Sequence, residues 1–204
     1  MQTKKNNSFS LPDKNRLKIY FLWILGLDVV FVSIYGGMNY LASLQSFHYQ
    51  VYLVDELKIP FIPFFIYLYL SISFLFIIPL FRLTPDELHR MGRQALLITL
   101  TAGLVFYLFP TVSGYQKTDA GIHSFIFKIV YLVDRPHNLF PSLHVAYTTL
   151  IITSAVTWTN YKIDLILWIW YLFILSSVLL VHQHHLADIP AGILLAHFIK
   201  RLVK

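Results

Sequence analysis

Residues 163–203 read IDLILWIWYLFILSSVLLVHQHHLADIPAGILLAHFIKRLV. The stretch is apolar from Ile163 to Val181, breaks at His182-Gln183-His184-His185, and is apolar again from Leu186 to Val203. A bilayer core takes about 20 apolar residues as a helix, so two membrane spans joined by a short histidine-rich turn are expected here. Asp188 lies four residues beyond His184, close enough to share a helical face. Pro190 is tolerated so near a helix start. Charged groups beside a bilayer are costly and are kept for internal pairing or for function.

Outward from this hairpin the whole chain has the same character. Its 204 residues are 57% hydrophobic and only 13% charged, where soluble domains carry about 25% charged residues. An integral membrane protein follows. Aromatic residues near segment ends (Tyr20, Trp23, Tyr40, Trp158, Tyr161, Trp168) fit an interfacial belt. The formal charge of +6 flanks apolar spans rather than forming one tract. That placement points to anionic lipid and away from nucleic acid. There are no cysteines, which excludes disulfides and thiolate metal sites.

The predicted fold is all-α, an integral membrane bundle of six transmembrane helices. The spans are Leu17–Tyr40, Ile62–Phe81, Gln94–Pro110, Ser142–Trp158, Ile163–Val181 and Leu186–Val203. Residues 1–16 form a basic tail expected to be disordered, and residues 17–204 form the membrane domain. The stretch after the tail is too long for a signal-peptide core and is taken as a retained first span. With the N-terminus inside, twelve Lys and Arg residues are cytoplasmic and only Lys58, Lys117, Lys128 and Arg135 face outward. The positive-inside rule therefore predicts cytoplasmic termini.

In this topology three polar clusters meet at the outer face: Lys128 with Arg135-Pro136, Pro141-Ser142-Leu143-His144, and His184 with Asp188. The long outer loop, residues 111–141, is expected to hold an interfacial amphipathic helix, from the spacing of Ile122, Phe125, Ile126, Ile129, Val130 and Val133. Lys128 and Arg135 are two turns apart and able to share a face. The set suits phosphoryl transfer, where positioning and charge stabilisation dominate. Lys128 and Arg135 would clamp phosphate oxygens. Ser142 and the free N–H groups opening the fourth span would add donors. His184 would attack phosphorus, Asp188 would fix its tautomer, and His144 would protonate the leaving oxygen and later activate water. Cationic side chains neutralise the phosphate, so no metal or cofactor is called for. A zinc site built on His182, His184 and His185 is the weaker reading, since zinc wants a closed set of ligands.

Lys128-x6-Arg135-Pro136, Pro141-Ser142-x-His144 and Ser177-x6-His184-x3-Asp188 resemble the three signature motifs of the type 2 phosphatidic acid phosphatase family. The resemblance implies a histidine nucleophile, metal-independent chemistry and a site at the outer membrane face. Its third motif usually carries arginine where this chain has Val178. His182-Gln183-His184 and Asn138-x-Phe140-Pro141-Ser142-Leu143-His144 resemble the inositol phosphorylceramide synthase branch, and His182 is expected to replace part of the missing arginine. The expected function is a lipid phosphatase acting on a phosphate monoester or pyrophosphate. The alternatives are a lipid phosphotransferase using the same histidine, and a non-catalytic membrane relative. The expected partners are a lipid phosphate and membrane lipids, in the plasma (inner) membrane, with oligomeric state left open. Asp28, inside the first span, is taken as structural, His197 as a bundle-packing residue, and Asp134 as an ion-pair partner of Arg135. Tyr67 and Tyr69 carry no functional assignment.

Overall fold

A computed structural model describes residues 10–133 and 137–204. Among these the chain is helical, its one extended pairing being an isolated parallel bridge between Tyr49 and Thr111. The long or central helices are α1 (Lys14–Ser43), α5 (Pro85–Leu108), α7 (Leu143–Ala155), α8 (Tyr161–Leu180) and α9 (Asp188–Leu202). Between α1 and α5 the chain forms a 3-10 turn at Val54–Lys58, a second at Pro63–Phe65, and the short helices α2 (Ile66–Leu70), α3 (Ile72–Leu75) and α4 (Ile78–Arg82). A short helix α6 (Ser124–Val133) lies in the loop between α5 and α7.

Three helices, α1, α5 and α8, are long and apolar enough to cross a membrane. Pro63–Leu75, Gly121–Leu132 and Leu143–Ala155 are shorter apolar runs. The exterior of α1 and α8 is apolar, with Leu25, Val29, Val32, Ile166 and Leu172 all exposed, as a lipid-facing surface requires. The protein is a helical membrane protein.

The core is built around α7. Leu143, all of Val145–Ile152 and Ala155 are buried, so this helix is enclosed on every side, as expected where no polar face exists. Ala146, Leu150 and Ile151 pack with Ile98 and Ala102 of α5, Ile174 of α8 and Ala196 of α9. Close approach of α9 depends on Gly192. A Cβ there would stand 2.6 Å from the Ser142 carbonyl oxygen and 3.0 Å from Val145 Cβ. The two helix starts that carry the second and third polar clusters are thereby held together.

Several boundaries differ from the sequence expectation. The third helix begins at Pro85, nine positions before Gln94. Thr84 and Glu87 form a reciprocal capping box with Pro85 at the first helical position, a signal strong enough to start a helix in polar sequence. The fourth ends at Ala155 rather than Trp158, because the Ala155 carbonyl accepts from Arg82 Nε at 3.0 Å. Arg82 also reaches the Thr157 hydroxyl and, at 2.6 Å, the Asp164 carboxylate. Asp164 in turn accepts from the Trp158 N–H. Both side chains of this ion pair are fully buried. The second expected span is a run of short helices. Ser71 Oγ bonds back to the Leu68 carbonyl while accepting from Trp170 Nε1. Pro79 has no N–H for the next turn and crowds the carbonyl four residues back.

In α6, Phe127 and Val130 are buried against the bundle, whereas Phe125, Ile129 and Leu132, with Ile122 of the preceding 3-10 turn, form an exposed apolar stripe. The helix is therefore apolar on two faces, one turned to protein and one outward. Asp28 is exposed on α1, and so is not an interior group. His197 is exposed on α9, its Nδ1 bonded to the Ile193 carbonyl, and does not pack within the bundle.

Candidate active site

The turn between α8 and α9 is folded by the end of α8. Ser177 is buried and its carbonyl caps Val181. The Val178 carbonyl accepts from both Gln183 N and His184 N, at 3.1 and 3.0 Å. His182 adopts a positive φ of 58°, which reverses the chain at a cost that its contacts offset. Val178 itself is fully buried among Val145, Val181, Phe127 and Val130. An apolar residue fits that position, and an arginine there would put a charge into apolar packing.

This turn delivers His184 and Asp188 to one another. His184 Nδ1 lies 3.2 Å from Asp188 Oδ2, and the two side chains are 5% and 1% exposed. The Asp188 oxygen also accepts from the His185 backbone N–H at 2.8 Å. An ionised carboxylate only accepts, so the His184 proton sits on Nδ1 and Nε2 presents its lone pair. That nitrogen makes no hydrogen bond among the described residues. The His144 ring neighbours the His184 ring, with centroids 6.0 Å apart at 60°.

His144 stands in the first turn of α7. Ser142 is the N-cap, its hydroxyl oxygen accepting from Val145 N at 3.3 Å. The Ser142 N–H donates to the Asp188 carbonyl at 3.3 Å, which ties the start of α7 to the start of α9. Tyr69 of α2, buried, stacks on His144 with centroids 4.2 Å apart and brings its hydroxyl within 3.3 Å of Nδ1. The segment leading into α7 is pinned as well. Asn138 Nδ2 donates to the Tyr35 carbonyl at 2.9 Å, and Leu139 N donates to the Thr111 hydroxyl at 3.1 Å.

His184, Asp188, His144 and Ser142 thus converge. Lys128 is exposed on α6 and makes no hydrogen bond or ion pair among the described residues. Arg135, with Asp134 and Pro136, lies outside the described residues. His182 Nε2 donates to the Ile59 carbonyl at 2.9 Å, and its ring stacks on Tyr115 at 3.9 Å. Burial lowers its pKa below the ordinary histidine value, outweighing the raising effect of the Ile59 carbonyl, and keeps the ring neutral. A neutral ring with one nitrogen committed is a poor substitute for an arginine.

Three residues near the site have no place in the phosphate site expected from the sequence. Tyr69 orients His144, yet Tyr-x-Tyr in an apolar span gives no sign of which tyrosine turns inward. His185 is buried, with Nδ1 2.5 Å from Glu56 Oε1 and Nε2 accepting from Gly114 N at 3.1 Å. Glu56 is the only buried residue of the short Val54–Lys58 turn.

A protein-family model described as the PAP2 superfamily matches residues 37–202. No curated protein and no solved structure matches the chain. The matched residues take in α5 through α9 and every described member of the His184 cluster, and the chain belongs to the PAP2 superfamily, that of the type 2 phosphatidic acid phosphatases.

Proposed function

We propose that this protein is an integral membrane lipid phosphatase that hydrolyses a phosphate monoester or pyrophosphate through a phosphohistidine at His184. The observation that carries the reading is the buried His184–Asp188 pair at 3.2 Å, with the His144 ring facing it 6.0 Å away. In the first step His184 Nε2 bonds to phosphorus, the phosphorus–oxygen bond to the lipid breaks, and protonated His144 gives its proton to the leaving oxygen. Asp188 stabilises the imidazolium character that develops on His184. In the second step water attacks phosphorus, His144 takes its proton, and the nitrogen–phosphorus bond breaks to release phosphate. Ser142 and the first N–H groups of α7 stabilise the phosphoryl oxygens. Lys128 and Arg135 are assigned to bind the phosphate oxygens. His182, committed to Ile59, serves as a wall beside it.

Six membrane crossings carry this site, with both termini cytoplasmic and the site on the outer face of the plasma (inner) membrane. The three helices long and apolar enough to cross a membrane, the shorter apolar runs and the twelve-to-four division of Lys and Arg support that arrangement. At 13 and 15 residues, α7 and α9 are about 20 Å long, short of a bilayer core of about 30 Å. Irregular backbone at membrane depth is tolerated where protein encloses it, as the burial of α7 allows.

Transfer of the phosphoryl group to an alcohol instead of water is the second reading, favoured by the His182-Gln183-His184 sequence. Purified protein given radiolabelled lipid phosphate, with and without acceptor alcohols, separates the two. Release of free phosphate without acceptor is the expected result, unaffected by EDTA and abolished in His184→Ala. Strict dependence on an acceptor would replace hydrolysis with transfer, and full activity in His184→Ala would remove the nucleophile.

A further inference from the structure

The residue after the proposed nucleophile is gripped on every side. His185 is 2% exposed, and its ring lies between Tyr52 and Tyr115, stacked at 4.7 and 4.6 Å. The Gly114 N–H donates to Nε2 at 3.1 Å. A backbone N–H only donates, so Nε2 is the unprotonated nitrogen and the ring proton sits on Nδ1. That proton points at Glu56 Oε1, 2.5 Å away. The other oxygen of the same carboxylate accepts from Leu186 N at 3.3 Å. Glu56 therefore holds two successive residues of the 184–188 turn with its two oxygens. The Tyr115 hydroxyl, donating to the Glu56 carbonyl at 3.2 Å, fastens the Val54–Lys58 turn to the same stack.

The grip leads directly to Asp188. Its Oδ2 accepts from the His185 N–H as well as from His184 Nδ1. A shift of residue 185 therefore moves the oxygen that sets the His184 tautomer. We infer that Glu56 is a positioning residue for His184, acting through the His185 ring and the 185–186 backbone to hold the Asp188 carboxylate in register with the nucleophile. The inference rests on the phosphohistidine reading for its catalytic consequence, though the coupling itself is a matter of geometry. A buried carboxylate is costly unless its oxygens are satisfied, and here both are used on one turn. A purely structural clasp would have no need to end on the residue whose N–H fixes Asp188.

Glu56→Gln is the sharp test, because it keeps the shape and removes one acceptor. A carboxamide accepts through its oxygen and donates through its nitrogen. It can satisfy the His185 Nδ1–H or the Leu186 N–H, but not both. The full chain in detergent micelles, with ring-15N-labelled histidine, reports the His184 tautomer by NMR, assigned from the spectrum of His184→Ala. The wild type is expected to show a single Nδ1–H tautomer, and Glu56→Gln a mixture with Nε2–H. Turnover in the variant should fall roughly 10- to 100-fold, with KM within about twofold, since substrate contacts are untouched. Glu56→Asp, which retracts the carboxylate by one methylene, should give an intermediate loss and keeps the test alive if the glutamine variant does not accumulate. An unchanged His184 tautomer in these variants overturns the inference, whatever happens to turnover, because Glu56 would then serve the fold alone. Undiminished turnover in His184→Ala would remove the phosphohistidine reading and leave the tautomer result to judge Glu56 by itself.

Discussion

Two buried charge clusters mark the two ends of the bundle, and they are finished differently. Around Arg82 the guanidinium bonds the Ala155 carbonyl, the Thr157 hydroxyl and the Asp164 carboxylate, and Asp164 takes the Trp158 N–H with its second oxygen. Those partners close the ends of α4 and α7 and the start of α8. Around Asp188 the carboxylate is equally buried, but the histidine it holds presents a ring nitrogen with no protein partner among the described residues, opposite a second histidine. Burial of charge is common to both clusters and says little about function. What separates them is a ring nitrogen held in place without a partner among the described residues.

Mutation of each cluster should therefore damage different properties. Asp188→Asn keeps the packing but offers an amide where a carboxylate fixed the tautomer. Turnover is expected to fall on the order of 10³–10⁴-fold, with thermal unfolding in detergent little changed. Arg82→Met should do the reverse. It strands the Asp164 carboxylate and costs roughly 3–5 kcal/mol of stability, while the folded fraction, counted by size-exclusion chromatography, retains its turnover. Loss of turnover per folded molecule in Arg82→Met would erase the distinction between the two ends.

Gly192→Ala probes the joint between α7 and α9. The added carbon meets the Ser142 carbonyl at 2.6 Å, and that backbone cannot yield as a side chain tip would. A stability loss of about 1–3 kcal/mol is expected, with a loss of turnover larger than the stability change alone explains, because His144 is on α7 while Asp188, which holds His184, opens α9. Equal turnover per folded molecule in the variant would show that the spacing of the two helix starts is not critical.

The smallest expected effect is one of pH. Burial holds the His185 pKa below its ordinary 6.5, against the raising pull of Asp188 and Glu56. A histidine lowered on folding binds more protons when unfolded, so stability rises with pH. Its contribution is whole above pH 6.5 and is lost as pH falls through that value toward the lowered one. The Tyr115 hydroxyl beside it is pushed up to about 12 by burial, with Glu56 and Asp188 adding, and stays neutral throughout. Thermal unfolding followed between pH 7.5 and 5.5 should show a midpoint that drops on acidification, and the drop should shrink in His185→Gln. A flat profile would mean that this turn does not limit stability.

How far the sequence reached depends on the range of each interaction. His184 and Asp188 are four residues apart, and Ser142 caps the helix that bears His144, so local spacing was enough to find them. The α5 start is also written locally, in Thr84-Pro85-Asp86-Glu87, but its first turns are polar and lie outside the apolar length. Glu56 and His185 are 129 residues apart, and Tyr69 and His144 are 75 apart. Neither pair leaves a periodic trace, and each becomes visible only when loops from different parts of the chain meet. The partner of His182 is likewise distant in sequence, the Ile59 carbonyl.

The central claim is that His184 becomes covalently phosphorylated. Rapid alkaline quenching of the protein during turnover of a radiolabelled lipid phosphate tests it directly, because a phosphorus–nitrogen bond survives base and is lost in acid. The account predicts base-stable label on the peptide containing residue 184, with none in His184→Ala. Label on another residue, or steady turnover with no trapped label and an active His184→Ala, would contradict it.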